Sequence, residues 1–197
     1  MMGFRVQALA IIVVTGAVVH SGAFAEPWAR HTIDGSSRGA DGVRLADVNG
    51  DGYLDIATGW EEGGVVRVYL NPGPDGVRDP WPAVTVGRVG APEDAVFVDL
   101  DGDGAMDVVS SCEGGVQTMY VHWAPKEREA YLDTQAWRTE PIPASEGRTR
   151  WMFCVPMDVD GQHGIDLVAG SKDPNSLVGW FEAPADARDL DAWILHP

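Results

Sequence analysis

Basic residues are scarce in this chain of 197 residues: Lys and Arg total 14 against 30 Asp and Glu, a formal net charge of −16. That balance argues against nucleic acid and anionic membrane as partners, because both are polyanions. Cysteine is scarcer still. Two residues are too few for a disulfide scaffold or a cysteine-rich zinc module. Past the first 25 residues no run is apolar enough to span a bilayer, so no membrane insertion is expected. What is abundant is turn-forming residues, 24 Gly and 13 Pro, beside 45% apolar residues. That mixture supports a packed core but not a helix bundle.

The first 25 residues read as a targeting segment. Arg5 gives a small positive region, Ala8 to Val19 is apolar apart from Thr15 and Gly16, and Ala23-Phe24-Ala25 supplies a small-x-small cleavage pattern. This predicts a secretory signal peptide over 1–25, cleaved near Ala25. Export to the periplasm, the cell surface or the extracellular medium follows, with residues 26–197 as the mature domain. An uncleaved anchor is the alternative, but the run is short for one.

The remainder repeats itself. Three acidic loops share one pattern: Asp47-Val-Asn49-Gly-Asp51-Gly-Tyr53-Leu-Asp55, Asp99-Leu-Asp101-Gly-Asp103-Gly-Ala105-Met-Asp107, and Asp158-Val-Asp160-Gly-Gln162-His163-Gly-Ile-Asp166. Trp28, Trp81, Trp137 and Trp193 keep a similar beat, as do Pro72, Pro125 and Pro184. Around each loop, short β-branched and aromatic runs alternate with Gly- and Pro-rich punctuation, which predicts four short strands per unit. An all-β chain with four strands per repeat of fifty-odd residues is the pattern of a β-propeller of four-stranded blades. The phase predicts three blades plus a leading strand from Trp28 to Ile33. It therefore reads as the front part of a longer propeller, or as a three-blade unit that closes by self-association.

The loops predict metal sites. Carboxylate or amide oxygens stand at positions one, three, five and nine, with the main-chain carbonyl of Tyr53 or Ala105 at seven. Glycine at six permits the left-handed backbone that curls a loop around an ion. An all-oxygen ligand set selects a hard cation, and flexible coordination favours Ca²⁺ over Mg²⁺. The expected ligands are Asp47, Asn49, Asp51, Tyr53 and Asp55 in the first loop and Asp99, Asp101, Asp103, Ala105 and Asp107 in the second. The third loop offers Asp158, Asp160, Gln162 and Asp166, but Gln162 replaces an acid and His163 replaces glycine, so either weaker Ca²⁺ binding or a loop held by hydrogen bonds alone is expected. An EF-hand would need a bidentate Glu at position twelve, where Thr58 and Ser110 stand, and flanking helices rather than strands.

Val89-Gly-Ala-Pro92, followed by Val96-Phe-Val-Asp-Leu-Asp-Gly-Asp-Gly, resembles the FG-GAP repeat of integrin α-subunit propellers. The loops followed by Asp-Ile-Ala-Thr-Gly and Asp-Val-Val-Ser-Ser also resemble VCBS-type repeats of exported bacterial proteins. The resemblance covers nearly all of the chain from Trp28 onward. It implies a propeller of seven or eight blades, loop ions that are structural, and blade faces that bind protein or glycan. It carries ligand roles to Asp47, Asn49, Asp51, Asp55, Asp99, Asp101, Asp103 and Asp107. Some propellers with similar loops belong to polysaccharide lyases or sugar-dehydrating enzymes, which is the rival reading. Such an enzyme would gather Arg, Lys, His and Tyr on one face.

Three further features carry less. Gly35-Ser-Ser37-Arg-Gly39 spells a nucleophile-elbow motif, which needs a strand before it and a helix after it. Cys112 and Cys154 fall at neighbouring blade ends, compatible with a disulfide or with two buried thiols. His122, Trp123 and Glu113 are site-like neighbours that nothing in the sequence brings together.

Overall fold

The computed structural model describes residues 28–173 and 175–197. The expected signal peptide lies outside the described residues. Three antiparallel sheets of four strands follow one another along the chain. The first holds β1 (Ala40–Ala46), β2 (Asp55–Trp60), β3 (Val65–Tyr69) and β4 (Ala83–Gly87). The second holds β5 (Pro92–Val98), β6 (Asp107–Cys112), β7 (Met119–Trp123) and β8 (Arg138–Pro141). The third holds β9 (Arg150–Met157), β10 (Asp166–Lys172), β11 (Val178–Glu182) and β12 (Ile194–His196). Strand order within each sheet is sequential, so each is a simple meander, the form of a propeller blade. Among the described residues the only helical pieces are four single 3-10 turns. One of them spans Arg128–Ala130.

The β-branched runs become the second and third strands because both faces of a blade are covered. Val108 and Val109 are adjacent and both fully buried, facing opposite neighbours. Each such side chain contributes about 1.5–3 kcal/mol when removed from water. The first strands pack side by side, β1 on β5 and β5 on β9. Two cores fill the seams. Ala46, Val48, Ala95, Phe97 and Trp137 pack between the first and second sheets, and Val98, Leu100, Trp151, Cys154 and Trp193 between the second and third. Trp137 and Trp193 each donate their indole N–H, at 3.0 Å, to a carbonyl six residues earlier, that of Tyr131 and of Ala187. The repeat of tryptophan is thus a repeat of one packing unit.

The leading strand expected from Trp28 to Ile33 does not form. The segment has no strand conformation, and Trp28 is 98% exposed. All three sheets draw their four strands from 40–196, so none leaves a strand position for it to fill. Ile33 instead packs beside Trp60, Val65 and Tyr69, and Asp34 accepts hydrogen bonds from Arg67 and the Tyr69 hydroxyl. The elbow motif falls in bends that lead into β1 rather than a helix, so it lacks the elbow architecture. Cys112 and Cys154 are free, buried thiols. Burial pushes the Cys112 thiol up to about 12.

Candidate metal centre

Each acidic loop is the hairpin between the first two strands of a sheet, and its ninth residue opens the second strand. That residue is nearly inaccessible in all three: Asp55 and Asp166 are fully buried and Asp107 is 1% exposed. Both oxygens of each accept main-chain N–H groups. Asp107 takes Leu100 at 3.2 Å and Ala124 at 2.8 Å. Asp55 takes Val48 at 2.9 Å and Asn71 at 2.7 Å, and Asp166 takes Val159 and Ala183 at 2.8 Å each. The carboxylate therefore ties the second residue of its loop to the segment after the third strand. Burial pushes Asp107 up to about 7; the nearby Asp101 charge adds to this, while the Ala124 and Leu100 N–H groups and Arg188 oppose it. Burial also raises Asp55.

The earlier positions shape the loop. In the first loop Asp47 Oδ1 accepts from Gly50 and Asp51 and Oδ2 from Gly52, while Asn49 and Asp51 accept from the residues two further on. Asn49 Nδ2 also donates to Asp51 at 2.9 Å. In the second loop Asp99 Oδ2 accepts from Gly104 at 3.1 Å, Asp101 from Asp103, and Asp103 from Ala105. Asp99 Oδ1 is buried with no hydrogen-bond partner. In the third, Asp158 accepts from Gly161 and Asp160 from Gln162, whose side chain also reaches toward Asp160 at 3.4 Å. The sixth position is left-handed in every loop: Gly52 at φ 87°, Gly104 at φ 90° and His163 at φ 58°. His163 thus keeps the curl that glycine supplies elsewhere, at a steric cost glycine avoids.

The structure brings together the carboxylates of Asp99, Asp101 and Asp107, and separately those of Asp158, Asp160 and Asp166, with one oxygen of each within 4.8 Å of the others. The first loop forms no such acid trio among the described residues, since Asn49 occupies its third position. Asp103 and Gln162 face their own turns, and the Ala105 side chain is buried whereas Tyr53 is exposed.

Two arginines complete the loops from outside, and the sequence pattern did not single them out. Arg128, between β7 and β8, donates to the Asn49 carbonyl at 2.6 Å. Arg188, between β11 and β12, donates to Asp101 Oδ2 through Nε at 2.6 Å and stacks over the Trp123 ring at 4.6 Å. In each case an arginine of one sheet engages the acidic loop of the sheet before it. A single Arg in a Pro- and Asp-rich connection carries little signal; its repetition after each third strand is the one available cue.

At the opposite end of the strands lies a second cluster. Glu61, Glu93 and Glu113 bring carboxylate oxygens within 4.8 Å of one another, and Lys172 Nζ lies 2.5 Å from Glu113 and 3.9 Å from Glu93. Burial pushes Glu93 up to about 7, reinforced by Glu113, whereas the hydrogen bond from Lys172 lowers Glu113. His122 does not join this cluster. It is buried between Ser110 Oγ and Thr139 Oγ1, both at 2.9 Å, and burial pushes it down to about 3. Trp123 donates to Glu140, so the three site-like neighbours belong to separate surroundings.

Residues 47–110 match the family model of the FG-GAP-like repeat. This span takes in the first acidic loop, the seam between the first two sheets, and the second loop. Searches of curated proteins and of solved structures gave no match. With three meander sheets, the repeat supports a β-propeller-like binding module.

Proposed function

From the FG-GAP-like repeat at 47–110, we propose that this chain is an exported, Ca²⁺-binding propeller module that binds a protein or glycan through its blades. The observation that carries the calcium reading is Asp99 Oδ1, a buried carboxylate oxygen without a partner beside Asp101 and Asp107. An unmet buried charge is costly, and a hard cation among three carboxylates relieves both the missing contact and their mutual repulsion. For the other loops the support is the arrangement of oxygens alone: Asp158, Asp160 and Asp166 gather their carboxylates as the second loop does, and the first loop offers Asp47, Asn49 and Asp51 at the same positions. The seventh-position carbonyls of Tyr53 and Ala105 supply further oxygens. The ion is structural in this reading. It fixes the hairpin at the end of the central strands and the seat of Arg188, and so the seam between sheets.

Export rests on the charge, apolar and small-residue pattern of residues 1–25. Outside the cytoplasm Ca²⁺ is abundant enough to fill sites of modest affinity. The net charge of −16 directs the partner away from polyanions, toward a protein or a neutral or basic glycan. Calorimetric Ca²⁺ titration tests the metal reading: uptake by the parent and its reduction in Asp99→Asn support it. Equal heats from parent and variant would remove the second loop as a site.

A further inference from the structure

Aligning the three loops on Asp47, Asp99 and Asp158 puts the first strands in register and shows two faces left open. On the side toward the preceding sheet, Val43 and Leu45 occupy the places of Ala95 and Phe97. Val43 and Leu45 are 60% and 56% exposed, whereas Ala95 and Phe97 are buried in the first seam. On the side toward the following sheet, Met157 and Val159 occupy the places of Val98 and Leu100. Met157 and Val159 are 49% and 41% exposed, whereas Val98 and Leu100 are buried in the second seam. The two open faces are therefore the two halves of an interface that the chain already builds twice. Beside Val43, a shallow cavity of about 160 Å³ lined by Ile33, Ile56, Trp60 and Tyr69 is nearly all apolar, as a receptor for a side chain of a neighbouring sheet would be.

The charges show the same complementarity. Arg128 and Arg188 lie in the connections between third and fourth strands and seat on the loop of the preceding sheet. Arg78 is the cation of the corresponding connection in the first sheet, between β3 and β4. It is exposed and forms no ion pair among the described residues. At the other end, Asp158 and Asp160 of the third loop receive no basic side chain among the described residues.

We propose that two copies of this chain associate head to tail. The β9 face of each copy packs on the β1 face of the other, and Arg78 of one copy seats on the Asp158–Asp160 loop of its partner. A head-to-tail contact used twice closes a two-fold ring. Two sets of three sheets make a six-bladed propeller, within the size range of closed propellers. Closure buries the exposed apolar side chains of both faces, which as contiguous patches otherwise favour association without a defined end.

Light scattering of the purified chain in Ca²⁺ tests this. The parent is expected at twice the chain mass, and Leu45→Asp and Met157→Asp each at the single-chain mass with unchanged β-sheet circular dichroism. Both residues are exposed, so neither change should unfold the chain. Mixing the two variants should restore a two-chain species, because one intact pair of faces is then available. Arg78→Glu removes an exposed ion pair at each of the two contacts, so it should raise the dissociation constant roughly 25-fold, about fivefold for each contact. A parent of single-chain mass would overturn the proposal and leave these faces to other blades or another protein. Association that survives either aspartate substitution would equally overturn it.

Discussion

Arg188 donates to Asp101 across the seam between the second and third sheets while its guanidinium lies over Trp123. One side chain thus joins an acidic loop, a core tryptophan and a neighbouring sheet. Its side chain is 45% exposed, which limits the ion pair to the scale of surface pairs. Arg188→Met is expected to lower stability by about 1 kcal/mol, combining a weak ion pair with the cation–π contact. Chemical denaturation in Ca²⁺ and in chelator reads the change. The loss should be smaller in Ca²⁺ if an ion takes over part of the neutralisation of Asp101.

The ninth and fifth positions of the second loop should separate cleanly on mutation. Asp107 holds two buried N–H groups, so Asp107→Ala leaves both unpaired and should cost about 2–4 kcal/mol even in chelator, and more in Ca²⁺, where a proposed ligand is lost as well. Asp103 accepts only from its own turn, and Asp103→Ala should weaken Ca²⁺ binding while changing stability in chelator by less than about 1 kcal/mol. Denaturant melts of the two variants in chelator decide this, and equal losses would show that the ninth position has no special structural role.

The Glu93 cluster gives a pH dependence of defined sign. Burial and Glu113 raise Glu93 from its ordinary 4.5 to about 7 in the folded chain. Below about 4.5 its contribution to stability is fully present; between 4.5 and 7 the unfolded chain releases a proton that the folded chain keeps. Stability from this group therefore falls as pH rises through 7. Glu93→Gln should flatten the decline between pH 5 and 8 in melting temperature. A variant whose profile parallels the parent would place the titration elsewhere.

His122 acts in the opposite direction. It is held neutral by burial, at about 3 against an ordinary 6.5. The unfolded chain takes up a proton as pH falls below 6.5, so stability from His122 is present above that value and is lost on acidification toward 3. His122→Gln, which keeps polar atoms for Ser110 and Thr139, should show a shallower acid limb in melts between pH 4 and 6.5. An unchanged acid limb would contradict the assignment.

Much of this architecture was legible in the chain. The acidic loops, the β-branched runs after them and the periodic Trp137 and Trp193 mark the repeat because each unit solves the same packing problem. What was not legible was whatever depends on contacts distant in sequence. Trp28 carries the right residue at the right interval, but a strand needs an open neighbour, and periodicity does not show whether one exists. The main-chain acceptor role of Asp107 was hidden because the loop pattern proposes a metal ligand of the same residue type at the same position. Arg128 and Glu93 matter through partners 79 residues away and across a sheet boundary, respectively, distances over which local pattern carries no signal.

The central claim is that Ca²⁺ held by the acidic loops stabilises this fold. A site that binds only the folded chain adds about 2.7 kcal/mol at a hundredfold excess of ion over its dissociation constant, a large share of a typical 5–15 kcal/mol. The most direct measurement is thermal unfolding of the chain in millimolar Ca²⁺ and in chelator, with Asp101→Ala alongside. The account predicts a melting temperature several degrees higher in Ca²⁺ and a smaller difference in the variant. Superimposable melting curves for the parent in Ca²⁺ and in chelator would contradict it.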